Sequence, residues 1–227
     1  MTIQMPTALR AATIAVSLSA LAAFAAPAFA TTAAPVKGNA EAGATKAATC
    51  MACHGPNGNG SINPEWPALA GQGSGYIAEQ VAAVKDGKRA VAQMMPIVQG
   101  LSAQDMADIG VYFAKQTPVG READATTWAA GEKLYRNGDS TRAIPACLSC
   151  HGPAAKGNPA ANYPALRAQH AVYTLKQLND YAADARYTKD AKGKSQAPAN
   201  AVMMQTISSR LTADERRSLA SYIQGMR

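Results

Sequence analysis

Two copies of one five-residue motif constrain this chain more than any other feature of its sequence. They occupy residues 50–54 (CMACH) and 147–151 (CLSCH), and together they use all four cysteines and two of the three histidines. Cysteines at this spacing can each form a thioether bond to a haem vinyl group, and the adjacent histidine can bind the iron. The sequence therefore predicts two covalently attached haem c groups. The expected attachment points are Cys50, Cys53, Cys147 and Cys150, and the expected proximal iron ligands are His54 and His151.

The first thirty residues have the pattern of an export signal. Arg10 is the only charged residue among them, the stretch 11–26 is apolar and small, and residues 28–30 (AFA) form a small-residue cleavage pattern. The alternative is an uncleaved membrane anchor, but sixteen apolar residues are short for a span, which needs about 20. We expect residues 1–30 to be a signal peptide cleaved near Ala30, so that the mature protein lies in the periplasm.

The chain is basic, with a formal net charge of +7. Such a charge raises the question of nucleic-acid binding. Export, the low aromatic content and the absence of a strongly basic run argue against it, and two haems would add four carboxylates. We expect no nucleic-acid partner. The basic residues either steer an acidic redox partner or are simply solvated, as exposed lysines commonly are; examples are Lys85, Lys88, Arg89, Lys192 and Lys194.

An internal repeat extends beyond the two motifs. The segment 67–69 (PAL) recurs as 164–166, at an offset of 97 residues. The same offset relates Gln72 to Gln169, Tyr76 to Tyr173 and Gln80 to Gln177, whereas an offset of 110 relates Leu101 to Leu211 and Tyr112 to Tyr222. The additional 13 residues fall in the polar stretch 185–200, where we expect a loop. The chain is therefore a duplicated domain, not a longer array of repeats.

Both halves have helical patterns. Apolar residues recur at helical spacing, and the last helix of each half begins with a capping-box pattern, at Ser102 and at Thr212. Helices are also expected before each motif, at 40–48 and 127–137, where Gly43 and Gly131 would allow another helix to approach closely. No alternating β pattern is evident, so the predicted fold class is all-α. We assign residues 31–117 to an N-terminal domain, 118–126 to a linker and 127–227 to a C-terminal domain.

The ligand on the second face of each haem iron decides whether such a protein transfers electrons or performs chemistry on a bound molecule. Met94 and Met204 are the one methionine pair that the repeat preserves, at the offset of 110 residues. Each lies in a poorly periodic segment between two helices. A thioether is a soft ligand that favours ferrous iron, so we predict Met94 and Met204 as the distal ligands. Core packing, or a slip to Met95 or Met203, is the alternative.

His170 is the one histidine outside the motifs, and its counterpart in the first half is Gly73. It could in principle bind the second iron. Because it closely follows the segment 164–166, we favour a position at the surface or on the propionate side of the haem.

These motifs resemble those of the dihaem cytochromes c4, which are tandem class I cytochromes c. In each half the resemblance rests on the haem motif, a Pro-x-Leu-x-x-Gln segment, a distal methionine and a terminal helix that starts after Leu-Ser/Thr and ends in Tyr. These features lie at 50–54, 67–72, Met94 and 101–112 in the first half, and at 147–151, 164–169, Met204 and 211–222 in the second. Essentially the whole mature chain is covered.

The resemblance implies two all-α class I cytochrome c domains related by pseudo-twofold symmetry, with haem propionates near their interface. It implies the delivery of single electrons from a quinol-oxidising cytochrome bc complex to a terminal oxidase. We expect a monomer that is either free in the periplasm or loosely associated with the membrane surface. It also implies that the Pro67 and Pro164 carbonyls orient the proximal histidines.

Two other function classes stay open at this point. One is a dihaem oxidoreductase, such as a peroxidase or a sulfur-compound dehydrogenase subunit, although no catalytic cluster is evident in the sequence. The other is a zinc protein, but 93 residues separate the two cysteine pairs, far more than the roughly 15–20 of common zinc modules. We expect an electron carrier and not an enzyme.

Overall fold

The computed structural model describes residue 2, residues 36–60 and residues 63–227. The regular secondary structure of these residues is helical. The predicted signal peptide lies outside these residues, except for Thr2. The described helices of the first half are α1 (Ala40–His54), α2 (Ser74–Lys85), α3 (Met95–Val98) and α4 (Ala103–Ala114). Those of the second half are α5 (Trp128–Asn137), α6 (Leu148–His151), α7 (Ala171–Ala182), α8 (Ala199–Ser208) and α9 (Ala213–Gly225).

Local sequence explains where the main helices begin. Asn39 caps α1 by accepting hydrogen bonds from the backbone amides of Glu41 and Ala42. Both predicted capping boxes are present, with Ser102 paired to Asp105 at the start of α4 and Thr212 paired to Glu215 at the start of α9. Isolated bridges, such as the one between Lys189 and Ser195, are the β structure found in the described ranges. The all-α prediction is confirmed for these ranges.

Each half has its own apolar core. In the first half, α1, α2 and α4 bury Ala47, Ile77, Ile109 and Phe113. In the second half, α5, α7 and α9 contribute to a larger cluster that includes Leu134, Tyr135, Leu178, Leu219 and Ile223. The terminal helix of each half thus packs on the opening helix and on the helix that follows the haem motif.

The predicted close helix crossings are confirmed at both glycines. A Cβ on Gly43 would overlap the backbone of Asp108 in α4, and a Cβ on Gly131 would overlap the backbone of Ser218 in α9. Asp108 is only 2% exposed and accepts hydrogen bonds from the Asn39 amide and the Lys46 ammonium, at 2.8 and 2.7 Å. Absence of a side chain at these two positions therefore brings the first and last helices of each half into direct contact.

The two halves differ in ways that the sequence analysis missed or located only in outline. Helix α1 continues through the first motif to His54, whereas α5 ends at Asn137 and residues 138–146 separate it from the second motif. The insertion was expected within 185–200; the loop between α7 and α8 spans 183–198, and residues 199 and 200 belong to α8. Met204 lies inside α8, so the expectation of an irregular segment around the second methionine was wrong.

Replacing Gly43 with alanine should lower the free energy of unfolding by about 1–3 kcal/mol, because the added methyl group must push α1 away from α4. Urea unfolding of the holoprotein measures this. Gly100→Ala is the matched control, since nothing lies within 4 Å of a Cβ at that exposed position. Equal stability of the two variants would mean that the crossing tolerates a wider separation.

Candidate functional site

A cavity of about 620 Å³ runs between the helices of both halves and contains the predicted haem-binding residues. Both motifs open into it. Its lining includes Cys50, Cys53, His54, Cys147, Cys150 and His151. All four cysteines lie in the described part of the chain, and none of them is paired in a disulfide. The fold therefore brings the two attachment motifs, 97 residues apart in sequence, to a common chamber.

Each proximal histidine is oriented by a backbone carbonyl. His54 Nδ1 lies 2.8 Å from the Pro67 carbonyl oxygen, and His151 Nδ1 lies 2.9 Å from the Pro164 carbonyl oxygen. A carbonyl can only accept, so Nδ1 carries the proton and Nε2 keeps its lone pair for a metal. The expectation drawn from the two prolines is confirmed.

Burial favours the neutral form of both imidazoles. It lowers the pKa of His54 below its ordinary value, and the nearby positive charge of Arg89 lowers it further, against the opposing effect of the Pro67 carbonyl. Burial likewise lowers the pKa of His151, which is 6% exposed. A neutral imidazole is the form that binds iron.

The walls of the cavity are apolar and equivalent in the two halves. Leu69, Leu101, Ile109 and Phe113 line it in the first half, and their counterparts in the repeat line it in the second: Leu166, Leu211, Leu219 and Ile223. An apolar chamber with paired thiols and a neutral imidazole at one side fits a covalently attached haem.

The structure distinguishes among the methionines that the sequence left as alternatives. Met94 and Met204 both line the cavity and are half-buried. Met95 is not among the lining residues, and Met203 lines the cavity but is 44% exposed. Met94 directly precedes α3, whereas Met204 occupies the middle of α8.

His170 is not among the residues that line the cavity and directly precedes α7. Its Nε2 is 3.3 Å from a guanidinium nitrogen of Arg121, in the predicted linker. The same guanidinium donates to the carbonyl oxygens of Asn59 and Ala168, one in each half. His170 and Arg121 therefore belong to the contact between the halves.

Two glutamines join the halves through reciprocal hydrogen bonds, a role that the sequence analysis did not assign. The Gln169 side chain accepts from the Ala68 amide at 2.8 Å and donates to the Ala68 carbonyl at 2.9 Å. Gln72 makes the same two bonds to Ala165, at 2.8 and 2.9 Å. We call these four bonds the glutamine clasp. The signal was present in the sequence, since the glutamines are repeated at the offset of 97 residues.

Arg89 was grouped with surface charges in the sequence analysis, and that interpretation was wrong. It is half-buried, lines the cavity and donates to Gln80 at 3.0 Å and to Tyr173 of the other half at 3.2 Å. Arg186, at the offset of 97 residues from Arg89, donates to Tyr76 of the first half at 2.9 Å. Each arginine thus reaches the tyrosine of the opposite half.

The described residues contain no helix that is both long and apolar enough to cross a membrane. They also contain no group of three or more His, Cys, Asp or Glu side chains placed to hold a metal ion.

Comparison with known proteins identifies the fold of both halves. The family model for cytochrome c matches residues 40–116 and 128–227. The chain is 43% identical to cytochrome c4 of Pseudomonas aeruginosa over 189 residues, which cover 83% of this chain and 89% of that protein. It is 35% identical to the thiosulfate dehydrogenase electron acceptor of Thiomonas intermedia, over 78% of each chain.

A solved structure shows the same arrangement. The crystal structure of reduced recombinant cytochrome c4 from Pseudomonas stutzeri superposes with a TM-score of 0.75 at 38% identity, covering 84% of this chain and all of that one. The two halves are therefore tandem cytochrome c domains, and the chain binds two haem c groups.

Replacing Gln169 with alanine should lower the free energy of unfolding by about 1–3 kcal/mol, because two hydrogen bonds between the halves are lost. Denaturant unfolding of the holoprotein measures the change. Gln99→Ala is the control, since that exposed side chain donates a single bond, to the Lys85 carbonyl at 3.3 Å within its own half. A Gln169→Ala variant no less stable than this control would contradict a stabilising clasp.

Proposed function

Since this chain belongs to the cytochrome c4 family of dihaem electron carriers, we propose that it carries single electrons in the periplasm from a quinol-oxidising cytochrome bc complex to a terminal oxidase. The observation that carries the proposal is the shared cavity, in which each half supplies a thiol pair, a neutral histidine and a methionine. A fully ligated iron exchanges electrons with little rearrangement, which suits a carrier better than an enzyme. We assign this role to a monomer that is soluble or loosely associated with the membrane surface, after cleavage of residues 1–30.

Haem c supplies reversible one-electron chemistry between ferric and ferrous iron. The chain's own residues hold and tune it. Cys50, Cys53, Cys147 and Cys150 would form the thioether bonds to the two haems. His54 and His151 donate through Nδ1 to backbone carbonyls, so each presents Nε2 as the proximal ligand in a fixed orientation.

Met94 and Met204 are the proposed distal ligands. Their half-buried positions on the cavity wall support this choice over Met95, which does not line the cavity, and over Met203, which is exposed. A neutral thioether stabilises ferrous iron relative to ferric iron and so raises the reduction potential. Apolar walls add to this effect because they disfavour the more highly charged ferric state.

A second candidate is suggested by the relative named as a thiosulfate dehydrogenase electron acceptor. In this alternative the chain would still be a carrier, but its electrons would come from thiosulfate oxidation instead of from quinol. Both candidates need the same two ligated haems and differ only in the donor protein.

We predict that Met94→Ala halves the near-infrared charge-transfer band that methionine ligation gives to ferric haem, and that Met204→Ala removes the other half. The reason is that each haem loses its thioether in one variant only. Absorption spectra of the oxidised proteins measure the band.

Met95→Ala and Met203→Ala are the matched controls, because each changes the methionine next to a proposed ligand. Both should retain the full band. If Met95→Ala lost half of the band while Met94→Ala kept all of it, the first ligand would be Met95. The same comparison between Met203→Ala and Met204→Ala decides the second ligand.

We also predict that a purified cytochrome bc complex supplied with quinol reduces the oxidised protein rapidly, and that added ionic strength slows the reaction if charged surfaces guide docking. Stopped-flow absorption at the haem bands measures both rates. Parallel reactions with thiosulfate and a thiosulfate dehydrogenase test the second candidate. Fast reduction only in the thiosulfate reactions would replace the first donor with the second.

A further inference from the structure

Arg186 is a buried cation that lacks a partner of opposite charge. Arg186 is 4% exposed, and its Nε and Nη1 groups are buried with no hydrogen-bond partner. Only Nη2 is bonded, to the neutral Tyr76 hydroxyl at 2.9 Å and the neutral Gln80 amide oxygen at 3.0 Å. Removing a guanidinium from water without pairing it is unfavourable, so the arrangement implies an anionic ligand.

The described residues do not supply that anion. None of the ion pairs found among them, within 4.0 Å, includes Arg186 or Arg89. Glu79 is close enough for Arg186 to influence its pKa, but its carboxylate accepts a hydrogen bond from Asn162. The rings of Tyr181 and Tyr187 lie 5.1 and 5.9 Å from the guanidinium carbon and offer only a cation–π contact.

The cavity places Arg186 and Arg89 beside the haem chambers. Both arginines line it, together with Tyr76, Tyr173 and Gln80, and we call these five residues the arginine cluster. Burial alone would raise the pKa of the Tyr173 hydroxyl, but the charges of Arg89 and Arg186 outweigh burial and lower it below its ordinary value.

Haem c carries two propionate carboxylates, and the chain binds two haems. A guanidinium N–H forms a strong charge-assisted hydrogen bond with a carboxylate oxygen, and Nε and Nη1 of Arg186 are both free to donate one. We propose that a free guanidinium donor of Arg186 binds a haem propionate, that Arg89 assists it, and that the arginine cluster thereby raises the reduction potential of the haem at the interface between the halves.

Electrostatics gives the sign of the effect. Ferric haem carries one more positive charge than ferrous haem, so a nearby cation that neutralises a propionate disfavours the ferric state and raises the potential. Arg186 should contribute more than Arg89, because Arg89 is less buried and already donates to three groups, Gln80, Tyr173 and Gln177. This inference rests on the two haems and not on which redox partners the protein has.

Potentiometric titration of the holoprotein with Arg186→Gln, Arg89→Gln and Arg186→Lys tests the proposal. We expect Arg186→Gln to lower the midpoint potential of at least one haem, Arg89→Gln to lower it less, and Arg186→Lys to keep most of the wild-type value. Unchanged potentials in Arg186→Gln, with the methionine charge-transfer band intact, would overturn the inference while leaving the proposed ligands and carrier function untouched.

Tyr187→Phe separates charge from packing. It removes the 2.9 Å bond between Gln80 and the Tyr187 hydroxyl beside Arg186 but keeps both arginines. Its potentials should match the wild type, and a fall as large as that of Arg186→Gln would mean that loosened packing is the cause.

Infrared redox-difference spectra with isotope-labelled propionate carboxylates provide a second measurement. The labelled bands should shift in Arg186→Gln and also in Arg186→Lys, because a compact ammonium replaces the planar guanidinium as the donor. Should Arg186→Gln not assemble, Arg186→Lys alone decides the question: a shift supports propionate binding and unshifted bands refute it.

Discussion

The hydrogen bond from each proximal histidine to a proline carbonyl is the interaction on which the rest of this structure depends. It sets the protonation state and direction of the imidazole, and it requires the backbone after the haem motif to be held in place. That backbone is held from the opposite half, because the glutamine clasp grips Ala68 and Ala165, the residues next to Pro67 and Pro164. Ligand geometry in one domain is therefore supported by docking of the other.

The two halves are most alike in their haem-binding residues and differ more in the segments around them. Motif, proline, glutamine and arginine recur at one offset, and the contacts they make are reciprocal across the interface. The loop at 183–198, which holds the additional residues, breaks the symmetry. It packs Tyr187 against Ala83 of the first half and bonds the Thr188 amide to the Lys88 carbonyl at 2.8 Å. Two domains with equivalent haem chambers thus acquire unequal surroundings, which is a physical route to unequal potentials.

Sequence reasoning predicted the features that are local or that repeat. The spacing of the thiols predicted the haem motifs, and the capping boxes predicted where α4 and α9 begin. The absence of a Cβ at Gly43 and Gly131 indicated the helix crossings. It failed where tertiary context decides. Nothing in the local pattern of Met204 indicated that α8 extends through it, and the charge of Arg89 suggested solvent where the fold places an interface. The predicted domain boundaries and ligand set remain predictions.

Each glutamine of the clasp bonds to main-chain atoms of the opposite half. It makes no bond to the side chain of the alanine there. Positions 68 and 165 are alanine, but the amide and carbonyl groups that are gripped would be present in any residue except proline. After a gene duplication, the two halves could therefore accumulate different surfaces and different redox properties without having to co-evolve matching side chains at this contact. Because the contact is made to backbone groups, each domain can change its side chains while the two domains remain docked.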